Sequence, residues 1–118
     1  MLKNIKRDNI VKVIYMGKYS QQGLSGMLDS SYAKRVEAVK DMFAKVDATL
    51  GDVMYLMGEY DVFATVEISS IEVAAGVRDI MMQSGGWDKL LMMPEFDVDA
   101  AIQAARTVGN YPTPGSET

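Results

Sequence analysis

The run Ile10-Val11-Lys12-Val13-Ile14-Tyr15-Met16-Gly17-Lys18-Tyr19 constrains this chain more than any other stretch. Its β-branched and aromatic residues predict a strand over residues 10–19, yet neither face of that strand is plainly polar. Ile10, Ile14 and Met16 fall on one side, and Val11, Val13 and Tyr15 on the other. A second β-rich run, residues 52–57, repeats the pattern, with Val53, Tyr55 and Met57 opposite Met54 and Leu56. An antiparallel sheet that faces water alternates apolar with polar positions, so a sheet apolar on both faces needs cover on both. At about 25 cal/mol per Å², hiding even ~600 Å² is worth on the order of 15 kcal/mol before association costs.

The remaining sequence offers helices for one face. Gly23 and Gly26 make residues 20–30 a loop by expectation. Over residues 31–50, Tyr32, Val36, Val39, Phe43, Val46 and Leu50 recur at steps of four and three, one face of a helix, and Gly51 stands where its C-terminal cap belongs. Residues 62–68 predict a third strand, reached from the second by a hairpin at Gly58-Glu59-Tyr60-Asp61. Ser69 and Glu72 have capping-box spacing ahead of a second helix striped by Val73, Val77, Ile80 and Met81, which Gly85-Gly86 ends. Gly76 inside that helix costs about 1 kcal/mol relative to Ala, which close helix-to-sheet packing would explain.

Residues 87–96 predict a fourth strand, and Pro94 makes it an edge strand or marks its end. Asp97 can cap a third helix through Val108, with Ile102, Ala105 and Val108 on one side and Gly109 as its stop. The order is βαββαβ plus a terminal helix. It predicts an α+β, ferredoxin-like fold in which right-handed crossovers put both main helices on one face of a four-stranded antiparallel sheet. The domain boundaries are an N-terminal extension at 1–9, the folded unit at 10–108 and a flexible tail at 109–118. The uncovered face is then hidden either by a second copy, giving a homodimer or higher homo-oligomer, or by the terminal helix folding back.

Composition removes several function classes. At 118 residues, with 48% hydrophobic and 24% charged residues, the chain is one globular domain. A net charge of -4, without a Lys/Arg cluster, argues against nucleic acid as a partner. The chain has no cysteine and no histidine, which excludes disulfides, thiolate nucleophiles, imidazole bases and the usual zinc, haem and iron–sulfur ligand sets. No metal and no cofactor are expected. No run approaches a membrane span, and an intracellular, cytoplasmic location is expected.

The topology brings three glycine-containing loops to one end of the sheet: residues 19–26, 58–61 and 84–88. They carry Tyr19, Ser20, Gln22, Glu59, Tyr60, Asp61, Trp87 and Asp88, the candidate ligand-binding rim. In a catalytic version, Glu59 or Asp61 would be a general base and Tyr19 or Tyr60 a proton donor. In a structural version, Gly58 and Asp61 are turn residues, Tyr60 fills an interface and Trp87 is core. Glu67 would be desolvated if it faced the interior of a two-sheet barrel, but strand carboxylates more often reach solvent. Lys12, Lys18 and Lys89 suit an anionic substrate or protect sheet edges. The ten methionines suit adaptable core packing better than copper(I). An RNA-recognition sheet is excluded because Asp61-Val62-Phe63-Ala64-Thr65-Val66 lacks the basic-glycine-aromatic pattern.

The segments Lys18-Tyr19-Ser20-Gln21-Gln22-Gly23 and Gly58-Glu59-Tyr60-Asp61 together resemble the GYD domain family, over about residues 10–96. Ser20 stands where that family commonly has Thr, which keeps the hydroxyl. The resemblance implies a small bacterial or archaeal protein and a ferredoxin-like subunit of the dimeric α/β-barrel type. It names no activity. The expectation is a homo-oligomeric protein that binds a small apolar or aromatic molecule in a cleft at the loop end of the sheet. The alternatives are a non-catalytic assembly or regulatory subunit that engages a protein partner and, by analogy of fold, a cofactor-independent monooxygenase or isomerase. Whether the chain is an enzyme stays open on the sequence.

Overall fold

The computed structural model describes residues 10–117. The N-terminal extension expected at 1–9 lies outside the described residues. The elements are β1 (Val11–Tyr19), α1 (Gln21–Leu28), α2 (Tyr32–Ala44), β2 (Thr49–Tyr55), β3 (Val62–Ile68), α3 (Ile71–Gln83), β4 (Trp87–Pro94) and α4 (Val98–Val108). The four strands form one antiparallel sheet in the order β2-β3-β1-β4. This is the expected ferredoxin-like arrangement, with β4 at an edge.

Alternation along β1 decides what each face does. Val13 and Tyr15 are buried with Val66 and Ile68 of β3 and Leu90 of β4, beneath Phe43 of α2 and Ala74 and Val77 of α3. Tyr15 packs its ring 5.5 Å from that of Phe43 and donates its hydroxyl to the Ala74 carbonyl at 2.8 Å, so a polar atom in the core is satisfied. Arg78 of α3 reaches across the core's rim and donates to the Leu90 carbonyl at 2.6 Å, taking up an acceptor on the edge strand.

The opposite face has no helix. Met54, Phe63, Met16 and Leu91 are successive register partners across β2, β3, β1 and β4, and Ile14 and Met93 form a second pair beside them. Met54 is 49% exposed, Leu91 39% and Met93 38%. Lys12 and Glu67 pair farther along the same face, and both are exposed. The terminal helix does not fold back over this face: every residue of α4 is exposed.

Several local expectations are corrected. Residues 20–30 hold α1, which sequence periodicity could not reveal because the helix buries nothing and contains two glycines; the Ser20 cap, accepting from the Gly23 N–H at 3.1 Å, starts it. The helix expected through residue 50 stops at Ala44, where Lys45 caps it and Asp47 turns the chain with φ 58. Val46 and Leu50 still pack on the core from outside the helix, so the apolar spacing ran on past its end. Gly51 is therefore no cap. It lies in β2 at a register shift, where an added Cβ would overlap the Thr65 hydroxyl, and Asp52 N–H donates to that hydroxyl at 2.9 Å.

The second strand accordingly starts and ends earlier than expected. The cap of α3 is Ser70, bonding Val73 N–H at 3.1 Å, one residue beyond the expected Ser69. β4 ends at Pro94, short of residue 96. Gly76 is exposed with no atom near an added Cβ, so helix-to-sheet packing does not account for it.

Burial raises the pKa of Tyr15 to about 12. The folded chain thus holds this proton more tightly than the unfolded chain, whose phenol has an ordinary value near 10. The resulting stability is complete below about pH 10 and is lost as the pH climbs through about 12. Tyr15→Phe should cost about 1 kcal/mol near neutrality through the lost hydrogen bond. In urea titrations, the gap between wild type and variant should shrink above pH 10 as the wild type loses its advantage.

Candidate functional site

The last residue of β1 and the first of β4, Tyr19 and Trp87, are register partners beside a bulge. Their rings stack 4.6 Å apart at 20° on the helix-bearing side. Gly17 makes the arrangement possible, because a Cβ there would overlap the Trp87 ring. Tyr55, at the end of β2, brings its hydroxyl to 3.4 Å from that of Tyr19, and Met27 of α1 places its sulfur 3.9 Å from both. Tyr32 of α2 braces Tyr55 edge-on at 6.0 Å and donates its own hydroxyl to the Val53 carbonyl at 3.0 Å.

Loop contacts hold this cluster in place. Ser20 N–H donates to the Gly86 carbonyl at 2.9 Å and the Ser20 hydroxyl donates to the Gly85 carbonyl at 2.6 Å. Gly23 lies against the Gly86 carbonyl so closely that any side chain would collide with backbone. Asp61 accepts from Tyr19 N–H at 2.9 Å through its carboxylate, while its own N–H donates to the Gly17 carbonyl at 2.8 Å. All three loops are thereby tied to the end of β1.

Two recesses open beside the aromatic pair. The inner one, a cavity of about 50 Å³, runs between the sheet and α2 toward Tyr15, Phe43, Val53 and Met81. The outer one, about 350 Å³, lies against α1 and includes Gly23, Met27 and Gly86. Tyr19, Arg35 and Trp87 wall both. Neither recess is lined by a carboxylate. Tyr19 has its pKa raised well above the ordinary phenol value, first by burial and then by the Tyr55 hydroxyl, with Asp61 adding and the Arg35 charge opposing. It remains a neutral hydroxyl, a donor to whatever enters, at any ordinary pH.

The structure distributes the sequence-derived candidates as follows. Tyr19 and Trp87 form the shared wall. Ser20 caps α1, the Gln22 carboxamide lies against Gly85, and Asp61 holds the Tyr19 backbone. Glu59 is exposed and pairs with Lys89 at 3.8 Å, Tyr60 is partly buried, and Asp88 is exposed. None of these six lines either recess. Arg35, Tyr55 and Met27 are wall residues that the loop-based reading did not reach. Tyr55 had a usable signal, since it shares the core-facing side of its strand with Val53. Arg35 gave only a polar residue next to the α2 apolar stripe.

Among the described residues, no group of three or more acidic side chains is placed to hold a metal ion. Among them, too, no helix is long and apolar enough to cross a membrane.

Comparison with known proteins gives a family-model match described as GYD domain, over residues 14–105. No curated protein matches the chain. The matched span takes in Tyr19, Arg35, Tyr55 and Trp87.

Because Trp87 is the sole tryptophan, its fluorescence reports directly on the site. Gly17→Ala should push the ring away from Tyr19, shift its emission to the red and cost about 1–3 kcal/mol by overpacking. Gly76→Ala, in open space, should leave the emission unchanged and gain about 0.5–1 kcal/mol. Emission maxima and urea midpoints of the two variants check both outcomes.

Proposed function

The chain belongs to the GYD domain family, and on that premise we propose that it is a homo-oligomeric protein that binds a small apolar or aromatic molecule at the loop end of its sheet. Support comes chiefly from one observation, the stacked Tyr19–Trp87 wall shared by an apolar inner cavity and a wider outer cleft. A ring-shaped or short aliphatic group suits such walls, because aromatic faces supply large contact area with little conformational entropy to lose. Tyr19 and Trp87 make the contact in this proposal; Ser20, Gln22 and Asp61 hold the loops. Glu59 and Tyr60 stand at the hairpin outside the cleft. Without a lining carboxylate, binding is favoured over base catalysis.

A second copy is the proposed cover for the open sheet face. The apolar row Met54–Phe63–Met16–Leu91 crosses all four strands, and only another apolar surface hides such a row from water. A twofold face-to-face packing makes the patch its own partner, as a closed dimer requires. One observation favours a second reading, an assembly or regulatory subunit: α4 carries Val98, Ile102, Ala105 and Val108 at helical spacing, all exposed. An isolated helix of this length is marginal in water.

Light scattering at micromolar concentration should give a mass at least twice 13.0 kDa. Leu91→Lys should reduce it to a single chain with unchanged secondary structure by circular dichroism. A monomeric, folded wild type would refute the dimer. For the ligand, benzoate, benzamide and indole should each be tested for a saturable change in Trp87 emission that Tyr19→Ala removes. No response to any of the three, together with a stoichiometric protein partner in a pull-down, would favour the second reading.

A further inference from the structure

Arg35 is out of place in a cleft meant only for apolar matter. It lines both recesses, it is partly buried, and among the described residues no carboxylate lies within ion-pairing distance of it. A guanidinium at the border of an apolar cavity without a counter-charge is free to take an anion, and the apolar wall beside it strengthens that pairing. Next to it stand two underused donors. The hydroxyls of Tyr19 and Tyr55 are 3.4 Å apart, long for a hydroxyl pair, and the Met27 sulfur at 3.9 Å is a weak acceptor. The charges facing this cluster are unequal. Asp61 is committed to the Tyr19 backbone N–H and lines neither recess, whereas Arg35 opens on the cleft.

Resting on the binding role proposed above, we infer that the ligand is a small monoanion, an aromatic or short aliphatic carboxylate. Its carboxylate sits at Arg35 within reach of the Tyr19 and Tyr55 hydroxyls, and its apolar body points past Trp87 toward Phe43. Three features of the cleft converge on a carboxylate. A guanidinium meets a planar two-oxygen anion with a matched pair of N–H groups, and two phenols supply the remaining bonds. Tyr19, whose pKa burial raises, stays protonated and so donates to the anion without repelling it. The inner cavity, about 50 Å³ and lined mostly by Val and aromatic side chains, has room for part of one ring or a short alkyl group.

The test compares benzoate with its neutral isostere benzamide, followed by Trp87 fluorescence and by calorimetry on the full-length protein. Benzoate should bind at least about 10-fold more tightly than benzamide, the scale of a charge-assisted pair. Arg35→Gln should erase that preference by weakening benzoate alone, and Arg35→Lys should restore part of it. Tyr55→Phe should weaken benzoate by a smaller factor. Unchanged urea midpoints keep any loss from being misread as unfolding. Equal affinity for both probes, or a benzoate preference that survives Arg35→Gln, would overturn the carboxylate assignment while leaving the cleft as a binding site. If neither probe binds, both the assignment and the binding role fall.

Discussion

β1 carries Val13 and Tyr15 into the helix-covered core and Ile14 and Met16 onto the opposite surface, so this interior strand has no side made for water. Much of the molecule follows from that. The helices α2 and α3 satisfy one face, and Tyr15 finds its hydrogen-bond partner on α3 without leaving the core. On the other face, the partners of Met16 on both sides are apolar too, Phe63 and Leu91. The patch is a property of four strands in register, and slipping one strand by a residue would turn its apolar set to the wrong side.

The alternation of apolar residues made the architecture legible, because strand faces and helix stripes are direct consequences of the two backbone periods. Alternation alone puts Val11, Val13 and Tyr15 on one side of β1, and that is the side packed in the core. Boundaries were harder. Val46 and Leu50 keep the spacing of the α2 stripe although one lies in a turn and the other in β2, since a residue packed on the core is apolar whatever element carries it. The end of α2 was instead written in Asp47, which takes a positive φ, and in Thr49, which begins pairing with Glu67. α1 left no apolar trace because it buries nothing; its signal was Ser20 three residues before Gly23, a cap that glycine content concealed.

The site was legible in part for a related reason. Loops meeting at a sheet end can be derived from connectivity, and that derivation reached Tyr19 and Trp87. It could not reach Arg35, which comes from the second turn of α2, or Tyr55, which the sequence places inside a strand running to residue 57 although β2 ends on it. Connectivity places ends, whereas only packing brings the flank of a helix over a strand. Asp61 shows the converse. A carboxylate in a conspicuous motif accepts from the Tyr19 backbone N–H, which fixes where the aromatic wall stands.

Gly17 joins the core to the site. Its lack of a side chain lets the Trp87 ring lie over β1 two residues from Tyr15, so the wall of the cleft and the buried core are built on the same few residues. Tyr15 and Phe43 line the inner cavity and also belong to the core cluster. A molecule that fills this cavity therefore supplies contacts the core lacks, and any ligand that binds only the folded state raises its stability by mass action. Occupancy of the cleft and integrity of the fold are in this way linked through packing, with no moving part required between them.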